Sequence, residues 1–454
     1  MGRSKVNTPD KAIKQQLRFS SSDSKPLAFI AGNGISLGKF RDDVEQFASQ
    51  LPATGDTLIS CSGRYAFSIA LLASWLRAKT VVLPPNTLDD TLDATRDQFK
   101  IGFECGTDWA QELTRTDTSP THGIWEPQLS QDFPAVKLFT SGSTGSPKTV
   151  SKSLSNLLDE ARAISTLQNW PSAPVLATVP PQHLYGLTFS VLLPWILENT
   201  WIDESPHYPQ DLIEILGSTK AKILISVPAQ YKTLIHNHTN IDNMLCISAA
   251  AALPTPLAQQ WLNETGAEIL EFYGSTETGV IGYRQQISNQ AWKALAQVEL
   301  SVDGDLLKVN SPFVSYAFTN GFLTADRVVL AKNKLGQFKL LGRSDSIVKI
   351  AGNRVSLSKI EDDILSCSGI ADAAVIAVPA KGIVRDLSIW VAIVTDNGFS
   401  LSSKQLQANL RGKLKGIEMP KRVLIVDHLP RTSNGKLPNT AIVKLFDEHD
   451  REPI

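Results

Sequence analysis

Between Phe139 and Lys148 the chain reads Phe-Thr-Ser-Gly-Ser-Thr-Gly-Ser-Pro-Lys, a run of hydroxyls and glycines closed by a cation. Gly142 and Gly145 permit a tight turn and let the backbone approach a ligand closely. Ser141, Ser143 and Thr144 offer donors, and Lys148 supplies positive charge. Such a cradle suits the phosphates of a polyanion such as ATP. It is not the P-loop of NTPases, which needs glycine directly before its lysine; Pro147 stands there and lacks an N–H. Taken alone, a cluster of this composition reads equally well as a solvated linker, so the choice rests on the rest of the chain.

A second constellation is Glu268-Ile-Leu-Glu-Phe-Tyr-Gly-Ser-Thr-Glu-Thr-Gly279, an apolar run entering a Gly-bounded turn that exposes Tyr273, Thr276 and Glu277 together. An aromatic face, a hydroxyl and a carboxylate so close suit a nucleotide base and a magnesium ion. Pro180-Pro-Gln-His-Leu-Tyr-Gly-Leu187 presents His183 and Tyr185 just after an apolar run. A lone histidine is commonly structural, but the loop after a strand is where α/β sheets bind ligands. The alanines that follow Leu245–Ser248 let a ligand lie against the chain, or serve close packing equally well. Near the C-terminus, Pro430-Arg-Thr-Ser-Asn-Gly-Lys-Leu437 is a polar loop that presents Lys436.

The elements that must position these residues follow from periodicity. Helices are expected over Phe40–Leu51, Ala66–Ala78, Ser153–Leu167, Ser358–Cys367 and Lys404–Lys415. Short apolar runs bounded by Gly and Pro predict strands at Thr57–Ser60, Lys79–Leu83, Pro174–Val179, Lys222–Val227, Leu245–Ser248, Ala373–Val378, Leu387–Val394 and Arg422–Val426. Asp108–Glu126 reads as a loop, and Leu340–Ser346 as a link between domains. Arg64 and Trp75 read as packing or surface residues.

With 454 residues, 42% hydrophobic and 20% charged, the chain can bury a sizeable core. Its net charge of −1 gives no basic field for nucleic acid or an anionic membrane, which leaves small-molecule chemistry. Four scattered cysteines form no CxxC pair, which argues against a zinc site or a disulfide framework. The N-terminus has no signal-peptide core, and the apolar stretch Phe189–Ile196 is short and carries Pro194. A cytoplasmic protein with no membrane span is expected.

In this order, four stretches resemble the adenylate-forming superfamily of acyl-CoA synthetases, aryl-acid ligases, luciferases and peptide-synthetase adenylation domains. They are the Ser141–Lys148 loop, the Tyr273–Gly279 turn, Gly342-Arg-Ser-Asp-Ser-Ile-Val-Lys-Ile-Ala-Gly-Asn-Arg354 continuing to Ile360-Glu361, and Arg431–Lys436. The likeness runs from about Ala135 to Thr440, and the N-terminal part matches only loosely. The resemblance implies an α/β fold: a large N-terminal domain of mixed, largely parallel sheets with helices over 1–342, and a small mobile α+β C-terminal domain over 343–454.

The resemblance also implies roles. Ser141, Gly142, Ser143, Thr144, Gly145 and Lys148 would hold the β- and γ-phosphates of ATP, Tyr273 would stack near the adenine, and Thr276 would touch the α-phosphate. Glu277 would hold Mg2+, and Asp326 and Arg343 the ribose. Asp345 would be the hinge, Lys436 the catalytic lysine, and His183 the aromatic group of the acyl site. The implied activity is an acid–thiol ligase that makes acyl-AMP and passes the acyl group to CoA, or to the phosphopantetheine of a carrier protein supplied in trans. Pro180–Leu193 holds no carboxylate to pair a substrate ammonium, so an aromatic or short-to-medium apolar acid is expected rather than an amino acid. Two departures stand out: Thr324-Ala325-Asp326 replaces the family's Thr-Gly-Asp, and Ala250 and Ala251 stand where Gly-Gly is frequent. The alternative is a non-catalytic nucleotide- or acyl-binding protein on the same scaffold.

Overall fold

Mixed sheets with helices packed on them make up the computed structural model. It describes residues 17–22, 25–106, 123–129, 133–140, 148–206, 208–236, 244–332, 334, 336–344, 346–350, 353–380, 387–396, 399, 401–414, 416–431 and 437–449. The architecture is the expected α/β class. Contacts divide the chain into two units, Met1–Ile225 with Pro312–Thr319, and Ser226–Ser311 with Asn320–Ile454.

In the first unit a five-stranded sheet runs Ile101–Cys105, Asp56–Ile59, Val81–Leu83, Pro134–Thr140, Lys148–Ser153. All its pairs are parallel except the last, where Pro134–Thr140 and Lys148–Ser153 form a hairpin around residues 141–147. A second ladder runs Ile223–Ser226, Val175–Ala177, Trp201–Ile202, Ala28–Ile30, parallel throughout, and Asn33–Ile35 closes it antiparallel. Parallel strands buried on both faces read as short apolar runs, which made Asp56–Ile59, Val81–Leu83, Val175–Ala177 and Ile223–Ser226 legible, while Ile101–Cys105, Trp201–Ile202 and Ala28–Ile30 were not expected.

The helix Leu37–Gln50 begins where the Ser36 hydroxyl accepts from the Lys39 N–H, and it buries Phe40, Val44 and Phe47. Helix Arg64–Leu76 is apolar almost all round and is correspondingly buried. Trp75 lies in the core and donates to the Ala135 carbonyl at 3.1 Å. Arg64 is fully buried rather than superficial. Its guanidinium donates to the carbonyls of Ala177 (2.8 Å), Val179 (2.6 Å) and Glu204 (2.7 Å), and more distantly to Asp203 (3.3 Å). Those carbonyls lie where the chain leaves two parallel strands and the ladder offers no partner, so a cation takes that place. Desolvation drives its pKa down to about 10, against the pull of Asp203 and Glu204.

In the second unit the order is Leu245–Ser248, Ile269–Ser275, Gly279–Gln285, Trp292–Ala294, Gln337–Arg343, Phe322–Leu330, Leu306–Asn310, Glu299–Asp303. Only the first pair is parallel. Short connections such as 276–278 can only return the chain antiparallel, whereas parallel pairing needs a crossover like helix Thr255–Thr265. Further along, Ile370–Pro379 pairs antiparallel with Leu387–Thr395, which pairs parallel with Arg422–Ile425 through helix Ser403–Leu410. Helix Leu357–Leu365 and the last helix, Asn439–His449, cover this sheet's two cores.

Two expectations are corrected. Within Asp108–Glu126, Gly123–Trp125 is a strand paired with Phe19–Ser21; at three residues it is too short to show a period. Within Leu340–Ser346, residues to Arg343 continue the strand Gln337–Arg343 rather than forming a link. The stretch Phe189–Ile196 belongs to a π-turn, Leu187–Leu192, followed by Leu193–Ile196. The wider turn relieves the clash a proline ring, here that of Pro194, makes with the carbonyl four residues back. Among the described residues no helix is long and apolar enough to cross a membrane.

Replacing Arg64 by methionine should destabilise the chain by roughly 3–5 kcal/mol, because the carbonyls it serves stay buried without donors. Urea unfolding of the variant measures this; an unchanged midpoint would show that the carbonyls find water instead.

Candidate active site

The sequence-predicted residues fall into three groups. In the first unit, Thr140 and Lys148 face each other in the register of their two antiparallel strands, with Lys148 exposed. Ser141, Gly142, Ser143, Thr144 and Gly145 lie outside the described residues, as do Asp345 and Lys436.

His183 follows the strand Val175–Ala177 and is half-buried, its carbonyl accepting from the Leu187 N–H at 2.8 Å. Two contacts fix this turn. Gln182 donates to the Cys61 carbonyl, and Gly186 lies so close to Pro180 that a Cβ there would meet its carbonyl oxygen at 1.9 Å. Only glycine permits that approach. Tyr185 packs edge-on against Phe189, ring centroids 5.3 Å apart. Phe189 is buried and Tyr185 half-buried, so the ring pair anchors the turn that carries His183.

The nucleotide-type group lies in the second unit. Strands Ile269–Ser275 and Gly279–Gln285 form a hairpin whose tip carries Thr276 and Glu277, both half-buried. Ser275 and Thr278 exchange hydrogen bonds across the turn, each backbone N–H donating to the other's hydroxyl at 3.1 and 3.2 Å. At Gly274 a Cβ would meet the Gly279 carbonyl at 2.2 Å, and Gly279 itself has φ +71. The turn is thus held by backbone and hydroxyls, leaving the Thr276 and Glu277 side chains at its tip.

Tyr273 donates its hydroxyl to Asp326 Oδ2 at 2.6 Å, and Arg343 approaches Asp326 Oδ1 at 3.5 Å from the facing register position. Burial, then the Asp326 charge, pushes the Tyr273 phenol well above its ordinary value, so it remains a donor. The Tyr273 ring packs against Trp292 and Phe338, centroids 5.4 and 6.0 Å away. Asp326 is placed by Thr324, whose hydroxyl accepts from the Asp326 N–H at 3.1 Å and donates to the Leu307 carbonyl at 2.9 Å. Ala325 sits in extended strand between them, so alanine satisfies a position where the resembling family has glycine. The aromatic ring, the carboxylate and the guanidinium are brought together.

Two residues of the quoted stretches, Arg431 and Glu361, make long-range contacts that sequence reasoning did not assign to them. Arg431 makes a bidentate pair with Asp372 at 2.7 and 2.9 Å. Glu361 beside it is half-buried, accepts from the Val375 N–H at 3.3 Å, and is pushed by desolvation up to about 7. Their partners are 59 and 14 residues away in sequence, and no local pattern signals them.

The fold is that of the adenylate-forming enzymes. The ATP-bound MatB structure from Rhodopseudomonas palustris superposes with a TM-score of 0.74 at 22% identity, over 94% of this chain and 97% of that one. The chain belongs to the AMP-binding enzyme family, whose model matches residues 76–310, and the AMP-binding enzyme C-terminal domain model matches residues 359–436. Among curated relatives, the human mitochondrial malonate–CoA ligase ACSF3 is 25% identical over 69% of this chain and 66% of its own length. The 4-coumarate–CoA ligase of Halorhodospira halophila is 29% identical over 68% of this chain and 76% of its own. The chain thus spans about two thirds of the human relative's length.

Two outcomes are expected. Tyr273→Phe should lower stability by about 1 kcal/mol, the ordinary loss for one hydrogen bond, which urea unfolding measures. Because the folded pKa of Glu361 lies above its unfolded value, the folded chain binds the extra proton between about pH 4.5 and 7. Stability is therefore lost as pH rises through that window, by roughly 3 kcal/mol in total, and is flat above it. Glu361→Gln should abolish this slope in denaturation curves taken from about pH 5 to pH 8.

Proposed function

We propose that the chain is an ATP-dependent acid–thiol ligase that activates an aromatic or short-to-medium-chain carboxylic acid as its acyl-adenylate and transfers it to CoA. The observation that carries this reading is the hairpin-tip arrangement of Thr276 and Glu277 with Tyr273, Asp326 and Arg343, in a chain of the AMP-binding family. CoA is preferred over a carrier protein as acceptor because the curated relatives are named as CoA ligases.

In the first half-reaction a carboxylate oxygen attacks the α-phosphorus of ATP, a P–O bond forms, and the bond to the leaving pyrophosphate breaks. Two anions approach, so positive charge is needed where negative charge develops. Lys148, with the Ser141–Gly145 loop, holds the β- and γ-phosphates, and Lys436 serves between the carboxylate and the α-phosphate. Thr276 binds the α-phosphate, while Tyr273 and Asp326 with Arg343 orient base and ribose.

The Glu277 carboxylate is a hard oxygen donor at a half-buried turn, which fits Mg2+ held by one carboxylate and substrate phosphates. Bound there, Mg2+ neutralises phosphate charge. In the second half-reaction the sulfur of CoA attacks the acyl carbonyl carbon, the bond to AMP breaks, and the thiol proton passes to solvent. Rotation of the 343–454 segment about Asp345 withdraws Lys436 between the two steps. The uncharged Pro180–Leu193 segment, with His183 and the Tyr185–Phe189 pair, supports an acid without a cationic group.

Lys436→Ala should reduce acid-dependent pyrophosphate release on the order of 10²–10³-fold and leave thioester formation from supplied acyl-adenylate nearly unchanged. Equal loss in both assays overturns the assignment of Lys436. A panel of aromatic, short, medium and long-chain acids and malonate in the same assay tests the substrate class; a preference for long chains or for the dicarboxylate overturns it.

A further inference from the structure

Between the strand Leu245–Ser248 and the helix Thr255–Thr265 the chain crosses Ala249–Pro254, and both ends of that crossing lie against one residue, Glu271. Ser248 lies opposite Glu271 in the parallel ladder. Leu253, at the other end, is gripped through its own peptide groups. Its N–H donates to Glu271 Oε1 at 3.0 Å, and its carbonyl accepts from Gln286 Nε2 at 2.9 Å.

Glu271 is 2% exposed, and its second oxygen accepts from Arg284 Nε at 2.6 Å. The Arg284 guanidinium in turn lies 4.4 Å over the Trp292 ring, which holds it in place. Burial pushes the Glu271 carboxyl up, and Arg284 pulls the other way. Between the two anchors Ala250 is exposed and has φ +69, in the left-handed region that a residue with a Cβ disfavours. Such a conformation persists only where its surroundings over-determine it, and the grip on Leu253 is what does so here.

We propose that Glu271 is a positioning residue for acid selection: through Leu253 it holds Ala249–Ala252 in the path that forms one wall of the acid site. This rests on the ligase reading above and adds to it that the small residues after Ser248, among them the exposed Ala250 and Ala252, which let a ligand lie against the chain, line the acid site. The residue touches neither acid nor nucleotide. Its effect is on which acid fits, so it moves the ratio of kcat/KM between acids and leaves the KM for ATP where it is.

The test is that ratio, taken between the best acid and its next longer homologue in a pyrophosphate-release assay. Glu271→Ala should compress it by about tenfold, the equivalent of one lost charge-assisted hydrogen bond, with the KM for ATP changed by less than about twofold. Glu271→Gln keeps an acceptor for the Leu253 N–H and should retain most of the selectivity. Ala250→Gly relieves the left-handed residue and frees the crossing, so it should compress the ratio with no fall in the thermal midpoint. It gives the answer even where Glu271→Ala fails to fold. An unchanged ratio in Ala250→Gly, together with a uniform loss over all acids and ATP in the Glu271 variants, overturns the proposal alone. A native chain that releases no pyrophosphate with any acid overturns the ligase reading and this one together.

Discussion

The closeness of two strands at Gly274 and Gly279 is the constraint on which the second unit's site depends. No side chain fits between them, since a Cβ on Gly274 would sit 2.2 Å from the Gly279 carbonyl oxygen. That approach makes the hairpin tight and fixes its register. The register sets Tyr273 within reach of Asp326 and leaves Thr276 and Glu277 at the tip. Widening the hairpin by one methyl group would shift a ring, a hydroxyl and a carboxylate together. The site is thus built by backbone proximity first, and side-chain chemistry is laid over it.

The same logic explains what the sequence made legible. A Gly-bounded turn after an apolar run declares itself, and so does the helix start at Ser153, whereas periodicity places the starts capped by Ser36 and Ser402 late, at Phe40 and Lys404. Tyr273, Asp326 and Arg343 were readable because their spacing repeats a pattern that resembles a family. Arg64 was not, because its acceptors are backbone carbonyls 113 to 140 residues away, and a carbonyl has no letter in a sequence. Glu271 was hidden for the same reason: its partner is the N–H of Leu253, which any residue but proline would supply. The π-turn at Leu187–Leu192 has no periodic signature short enough to separate it from an ordinary helix.

These hidden residues share one device. Arg64 ends on carbonyls of the chain after Ala177 and Ile202, Lys152 on that of Phe313, and Lys232 on that of Ala371. Glu271 and Glu361 accept from the N–H groups of Leu253 and Val375. In each case a long charged side chain reaches a peptide group that a side chain, rather than a ladder neighbour, serves. Most of these acceptors and donors lie where a segment departs from a strand or turns before a helix.

That arrangement changes what a buried charge is worth. A buried pair of side chains is a weak stabiliser, since apolar residues of the same volume often replace it without loss once both charges are gone. A charge that ends on a peptide group has no such substitute, because the peptide group cannot be mutated away and stays buried and unpaired. Apolar replacement at Arg64 or Glu271 therefore removes one desolvated group and exposes the need of another. The charge is retained for the path it imposes on the chain where a segment leaves a strand, and that path decides where the side chains beyond it can be.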